Sequence, residues 1–148
     1  MSDRIQDFKA FWPYYIGEHR NPVCRVMHFI GTGGFLLVLA TCVAMEPVRT
    51  GCFVLAGIVV GFLARRIEAK RRAGTEILAI VILWLIGSPW ILLGIIWAYA
   101  WAWIGHFKIE MNRPATFTYP LWSLFADFKM VSLMASGKLW TGDSIASA

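Results

Sequence analysis

Charge is scarce in this chain: of 148 residues only 16% are Asp, Glu, Lys or Arg, against roughly 25% in an average soluble domain. That shortage excludes a disordered polar chain and a nucleic-acid-binding domain working through a dense basic surface. Cysteine is scarce too. Cys24, Cys42 and Cys52 are odd in number and unrelated in spacing, which speaks against a disulfide framework or a zinc knuckle. Histidine occurs only at His19, His28 and His106, too few for a histidine-rich membrane desaturase or hydroxylase. No glycine-rich phosphate loop stands out, because Gly31-Thr32-Gly33-Gly34 lies inside an apolar run and reads as helix packing. With only Asp127 and Asp143 following His106, no Ser-His-Asp arrangement is supported.

Apolar and aromatic residues fill the space that charge leaves. Hydrophobic residues make up 58% of the chain, with eight Trp and ten Phe. The length allows one domain, 1–148, and the composition makes it an integral membrane protein. The expected fold is all-α: a membrane bundle of about four short transmembrane helices, with interfacial amphipathic helices at both ends.

At the N-terminus Ile5, Phe8, Trp12 and Tyr15 recur at helical spacing, and Pro13 is expected to break the run. This segment either lies on the bilayer surface or packs as ordinary core. Asn21-Pro22 then opens a helix, with Asn as N-cap, whose apolar body runs from Phe29 to Met45. A connection at Glu46–Gly51 leads to Cys52–Ala64, where Gly57 and Gly61 have a spacing that permits close helix approach. The basic block Arg65, Arg66, Lys70, Arg71 and Arg72 reads as a cytoplasmic loop or, alternatively, a lipid-headgroup site.

Ile77–Ile104 is a stretch of 28 residues with almost no strong polarity. As one helix it would be roughly 42 Å long, well over the ~30 Å hydrocarbon core. Gly87-Ser88-Pro89 divides it, with Ser88 as N-cap and Pro89 opening a new helix. Four crossings then put 13 of the 14 Lys and Arg on one side, with Arg49 alone outside and both termini cytoplasmic. Beyond Pro114, Leu121, Leu124, Phe125, Phe128, Val131 and Leu133 fall mostly on one helical face, predicting a helix along the interface.

This topology carries all three histidines to one membrane level, although 78 residues separate His28 from His106. Glu110 follows His106 at i+4, and Gly94, Ala98 and Ala102 form a small-residue row that would turn His106 into the bundle. Three imidazoles and a carboxylate suit Fe or Zn. The competing reading is that interfacial histidines only hydrogen-bond headgroups or carbonyls.

Two blocks, His19-Arg20-Asn21-Pro22-Val23 with His28, and Gly105-His106-Phe107 with Glu110 and Pro114-Ala115, resemble the family of the yeast 2-hydroxy-palmitic acid dioxygenase. The resemblance runs from about Phe11 to Met130. It implies a small integral membrane enzyme that uses Fe2+ and O2 to shorten a 2-hydroxy fatty acid by one carbon in α-oxidation. It further implies iron ligation by His19, His28 and His106, with Glu110 as fourth ligand or close partner. Cys24 stands where the fungal motif has Asn, and the tail Pro114–Leu121 is more similar to short bacterial members. A bacterial inner membrane is therefore expected, or the endoplasmic reticulum if the source is eukaryotic. The expected partners are the bilayer, the 2-hydroxy fatty acid and O2, with homo-oligomerisation open and no nucleic acid. The alternatives are a non-catalytic haem- or zinc-binding membrane protein and a purely structural one.

Overall fold

The computed structural model describes residues 5–67 and 88–142, with side chains omitted for 60–67. Among the described residues every regular element is helical: α1 (Phe8–Gly17), α2 (Pro22–Met45), α3 (Pro47–Ile67), α4 (Pro89–Ile104) and α5 (Pro120–Ala135). A π-helical turn, Gly105–Glu110, continues α4, and a 3-10 turn, Ala115–Phe117, precedes α5. The chain divides into two compact units, residues 1–34 with 97–148, and residues 35–96. Most of the basic block (residues 68–72) and the apolar stretch 77–87 lie outside the described residues.

Local chemistry sets the helix ends. The Asp7 carboxylate accepts from the Ala10 N–H at 2.7 Å to cap α1, and Asn21 Oδ1 accepts from Val23 N–H at 2.9 Å at the start of α2. Pro47, Pro89 and Pro120 each occupy the first position of a helix, where a missing N–H costs nothing. The connection expected at Glu46–Gly51 therefore shrinks to Glu46 alone, whose carbonyl already accepts from Thr50 N–H. At the end of α5, Gly137 takes φ +85°. Its N–H bonds Met134 O and that of Lys138 bonds Leu133 O, the paired closure favoured by a left-handed glycine.

Contrary to expectation, α1 runs straight through Pro13. An interior proline costs about 3 kcal/mol, and tertiary packing outweighs it here. Phe11, Trp12, Tyr15 and Ile16 are buried in a core with Ala126, Met130 and Met134 of α5, plus Ala115 and Leu139. Full burial of one such large apolar side chain contributes about 1.5–3 kcal/mol. Of the two readings of this segment, ordinary core is the one observed. Helix α5 carries two apolar faces: Ala126 and Met130 face inward, while Leu124 and Phe125 remain 50% and 55% exposed.

Two helical stretches, Pro22–Met45 and Pro89–Glu110, are long and apolar enough to cross a membrane; the apolar part of α3, Pro47–Val59, is shorter. Four crossings were expected, and the described residues supply these two. Within the first unit α2 and α4 pack antiparallel. A Cβ on Gly105 would stand 2.9 Å from Cys24 Sγ, one on Gly31 would stand 3.0 Å from Ala98 O, and one on Gly34 would collide with the Trp97 ring. The touching residues ascend on α2 as they descend on α4, so the start of α2 meets the end of α4. Within the second unit Gly94 abuts Phe35 and Val38, whereas a Cβ on Gly57 would meet nothing within 4 Å among the described residues.

Candidate metal centre

His28 sits in the second turn of α2, His106 in the π-helical turn after α4, and His19 in the short link between α1 and α2. Antiparallel packing of α2 on α4, permitted by Gly31, Gly34 and Gly105, brings the first two together. The buried face of α1 then delivers the third. All three histidines are buried, and one nitrogen from each lies within 4.8 Å of the others. Ring centroids are separated by 4.6 Å for His19 and His28, 4.6 Å for His19 and His106, and 5.2 Å for His28 and His106.

Each imidazole is tied on its Nδ1 edge. His19 Nδ1 donates to the Tyr15 carbonyl at 2.7 Å, and His28 Nδ1 donates to Asp127 Oδ1 at 2.7 Å. His106 Nδ1 donates to Asn112 Oδ1 at 2.8 Å. The amide of Asn112 is oriented by its other end, because Nδ2 donates to Glu18 O and Glu18 Oε2, both at 2.9 Å. Every one of these partners accepts, so each Nδ1 bears the hydrogen and each neutral ring has a bare Nε2.

The consequence is a polar conflict. His19 Nε2 and His28 Nε2 face one another at 3.2 Å, lone pair against lone pair, in a buried site. A cation between them resolves the repulsion. Burial above all, then the neighbouring His28 and His106, hold His19 well below its usual pKa of 6.5, so a proton is disfavoured at neutral pH. A divalent metal fits instead: two nitrogens bound at about 2.0–2.1 Å to one ion lie about 2.8–3.4 Å apart at right-angle to tetrahedral geometry. Tied outer nitrogens are also the usual companions of metal-bound imidazoles.

Glu110 is not in this group. Its Oε1 accepts from the backbone N–H of Asn21 at 2.6 Å, tying the π-helical turn to the start of α2. Asp127 was not anticipated as part of the site. Besides His28 it accepts from Thr32 Oγ1 at 2.5 Å and from Tyr15 Oη at 3.3 Å. Burial, followed by the Asp127 carboxylate, raises the Tyr15 phenol well above its usual pKa, which keeps its proton in place as a donor. The sequence signal for Asp127 was a lone acid inside a mostly apolar helix. Thr32 was read as packing, and its hydroxyl gave no signal of its own.

Arg25 is fully buried behind His19. Its guanidinium donates to four carbonyls: His19 O at 2.6 Å, Arg20 O at 2.7 Å, Leu139 O at 2.7 Å and Thr141 O at 2.9 Å. It therefore clamps the chain after α5 to the histidine-bearing link, with Leu139 held at φ +64°.

Helical in all its described elements, with two stretches long and apolar enough to cross a membrane and three buried histidines gathered near their adjoining ends, the protein falls in the class of helical proteins with a histidine cluster that could hold a metal. The chain is a member of the family described as 2-hydroxy-palmitic acid dioxygenase Mpo1-like, whose model matches residues 5–139. No curated protein and no solved structure matches the chain.

Proposed function

We propose that this protein is an integral membrane dioxygenase that uses Fe2+ and O2 to remove one carbon from 2-hydroxy fatty acids. The observation that carries the reading is the convergence of three bare, buried imidazole nitrogens in a chain of this family. His19, His28 and His106 hold the ion through Nε2, and their number leaves positions for a chelating 2-hydroxy acid and O2. Iron(II) bound there supplies O2 activation and Lewis-acid ordering of the hydroxy acid. The protein supplies the rest. The Nδ1 partners keep the rings from turning, and burial keeps bulk water from the ligand edges. Glu110 acts as a positioning group for Asn21 and the start of α2 rather than as a ligand: the clustered donors are the three histidines, and its Oε1 accepts from the Asn21 N–H.

The outward residues Leu36, Leu37, Ile96 and Trp97 suit contact with lipid and with the acyl chain. Four crossings, cytoplasmic termini and a bacterial inner membrane complete the proposal, with Leu124 and Phe125 of α5 dipping into the interface. A second reading has one specific observation in its favour: three histidines with no carboxylate among them is also a donor set of catalytic zinc sites.

Metal analysis of the full-length protein purified anaerobically in detergent tests the proposal, beside a His28→Ala, His106→Ala double variant. Iron at about one per chain, absent from the double variant, together with O2-dependent conversion of 2-hydroxypalmitate to the acid one carbon shorter, is expected. Zinc in place of iron would replace the oxidative reading with a hydrolytic one. No bound metal after Fe2+ reconstitution would overturn the centre altogether.

A further inference from the structure

The three Nδ1 partners are chemically unequal. His19 leans on a neutral carbonyl and His106 on a neutral amide, while His28 alone donates to a carboxylate. That carboxylate belongs to Asp127 on α5, 99 residues along the chain from His28. Its two oxygens are restrained from two further directions: Tyr15 of α1 donates to the same oxygen as His28, and Thr32, one turn after His28 on α2, donates to the other. The Asp127 side chain is only 16% exposed. Such a carboxylate has little freedom to rotate, and a charged acceptor polarises the ring it holds more than a neutral one does.

We infer that Asp127 is a positioning residue for the metal centre, selecting the Nδ1–H tautomer of His28 and strengthening its Nε2 as a donor. The inference rests on the proposed metal centre and deepens it. Asp127 does not join the ligands itself, because it contacts the edge of the ring opposite Nε2. Its hydrogen bonds to α1 and α2 also tie α5 to the histidine-bearing elements, so a purely structural role is the alternative to exclude.

Asp127→Asn separates the two. The amide oxygen still accepts from His28 and Tyr15, and the amide nitrogen donates to Thr32 Oγ1, so the ties survive while the charge is lost. Wild type, Asp127→Asn and Asp127→Ala are compared as full-length, detergent-purified proteins. Anaerobic chelator competition gives their Fe2+ affinity, Co2+ absorption spectra report the ligand field, and circular dichroism checks helicity. Outer partners of metal-bound histidines are worth about 10–100-fold in affinity. The expected result is a loss of about tenfold for Asn and about 100-fold for Ala, with a shifted Co2+ spectrum and unchanged helicity in the Asn variant. Wild-type affinity and an unshifted spectrum in Asp127→Asn would overturn the positioning role, whether or not Asp127→Ala folds. If wild type itself binds neither ion, the metal centre falls and this inference with it. If wild type binds and Asp127→Asn binds equally well, only this inference falls.

Discussion

Acidification should destabilise the metal-free protein through His19 in particular. The folded protein holds this imidazole well below pKa 6.5, first by burial and then through His28 and His106. The unfolded chain releases it to about 6.5. Below that value the unfolded state binds a proton that the folded state refuses, so stability falls as pH falls. Well above pH 6.5 neither state carries the proton and His19 imposes no slope. Between pH 7.5 and pH 5.5 the unfolded state gains on the order of 1 kcal/mol from this one group relative to a folded state that refuses the proton. The assay is reversible denaturation in detergent, with chelator present, of wild type and His19→Gln at both pH values. Wild type should lose on the order of 1 kcal/mol more than the variant over that window. A saturating divalent metal should stabilise wild type at pH 7.5 and leave His19→Gln much less affected. Equal pH slopes for wild type and variant would refute the argument, because they would mean that His19 accepts a proton as readily in the folded protein as in the unfolded chain.

Two further predictions concern how the site is assembled. Gly105→Ala places a Cβ 2.9 Å from Cys24 Sγ and should cost about 1–3 kcal/mol by overpacking. Gly33→Ala, where nothing among the described residues lies within 4 Å, should be neutral or stabilising by about 0.5–1 kcal/mol; denaturation midpoints check both. Arg25→Lys replaces a guanidinium serving four carbonyls with a single ammonium. Each buried carbonyl left without a donor costs about 1–3 kcal/mol, and limited proteolysis should cut the variant first around Leu139–Thr141.

Much of the fold was legible because proline, asparagine and apolar runs act locally. Pro22 and Pro89 open helices in the structure, as read from the residues around them. Pro13 misled because its local penalty is small beside the burial of Phe11, Trp12, Tyr15 and Ile16, and that burial depends on α5 more than a hundred residues away. Likewise Pro47 was read as part of a loop although it begins α3. For the site, His19, His28 and His106 could be brought to one level by counting crossings and charges. Glu110 shared a motif with His106, yet its carboxylate goes to the Asn21 N–H.

By itself the sequence determined that the chain is helical and apolar, where several helices start, and that the start of α2 and the end of α4 bear histidines. These properties follow from hydrophobicity and backbone stereochemistry, which act over a few residues. Only the tertiary structure decided that one nitrogen from each of the three histidines converges and that Asp127, Asn112 and the Tyr15 carbonyl each take an Nδ1 edge. It also assigned Arg25 to carbonyls rather than to an acid. Those outcomes hang on distances of about 3 Å between residues as many as 116 positions apart. Such distances are set by glycines that let α2 and α4 touch and by the core that α1 shares with α5, and no local pattern encodes them.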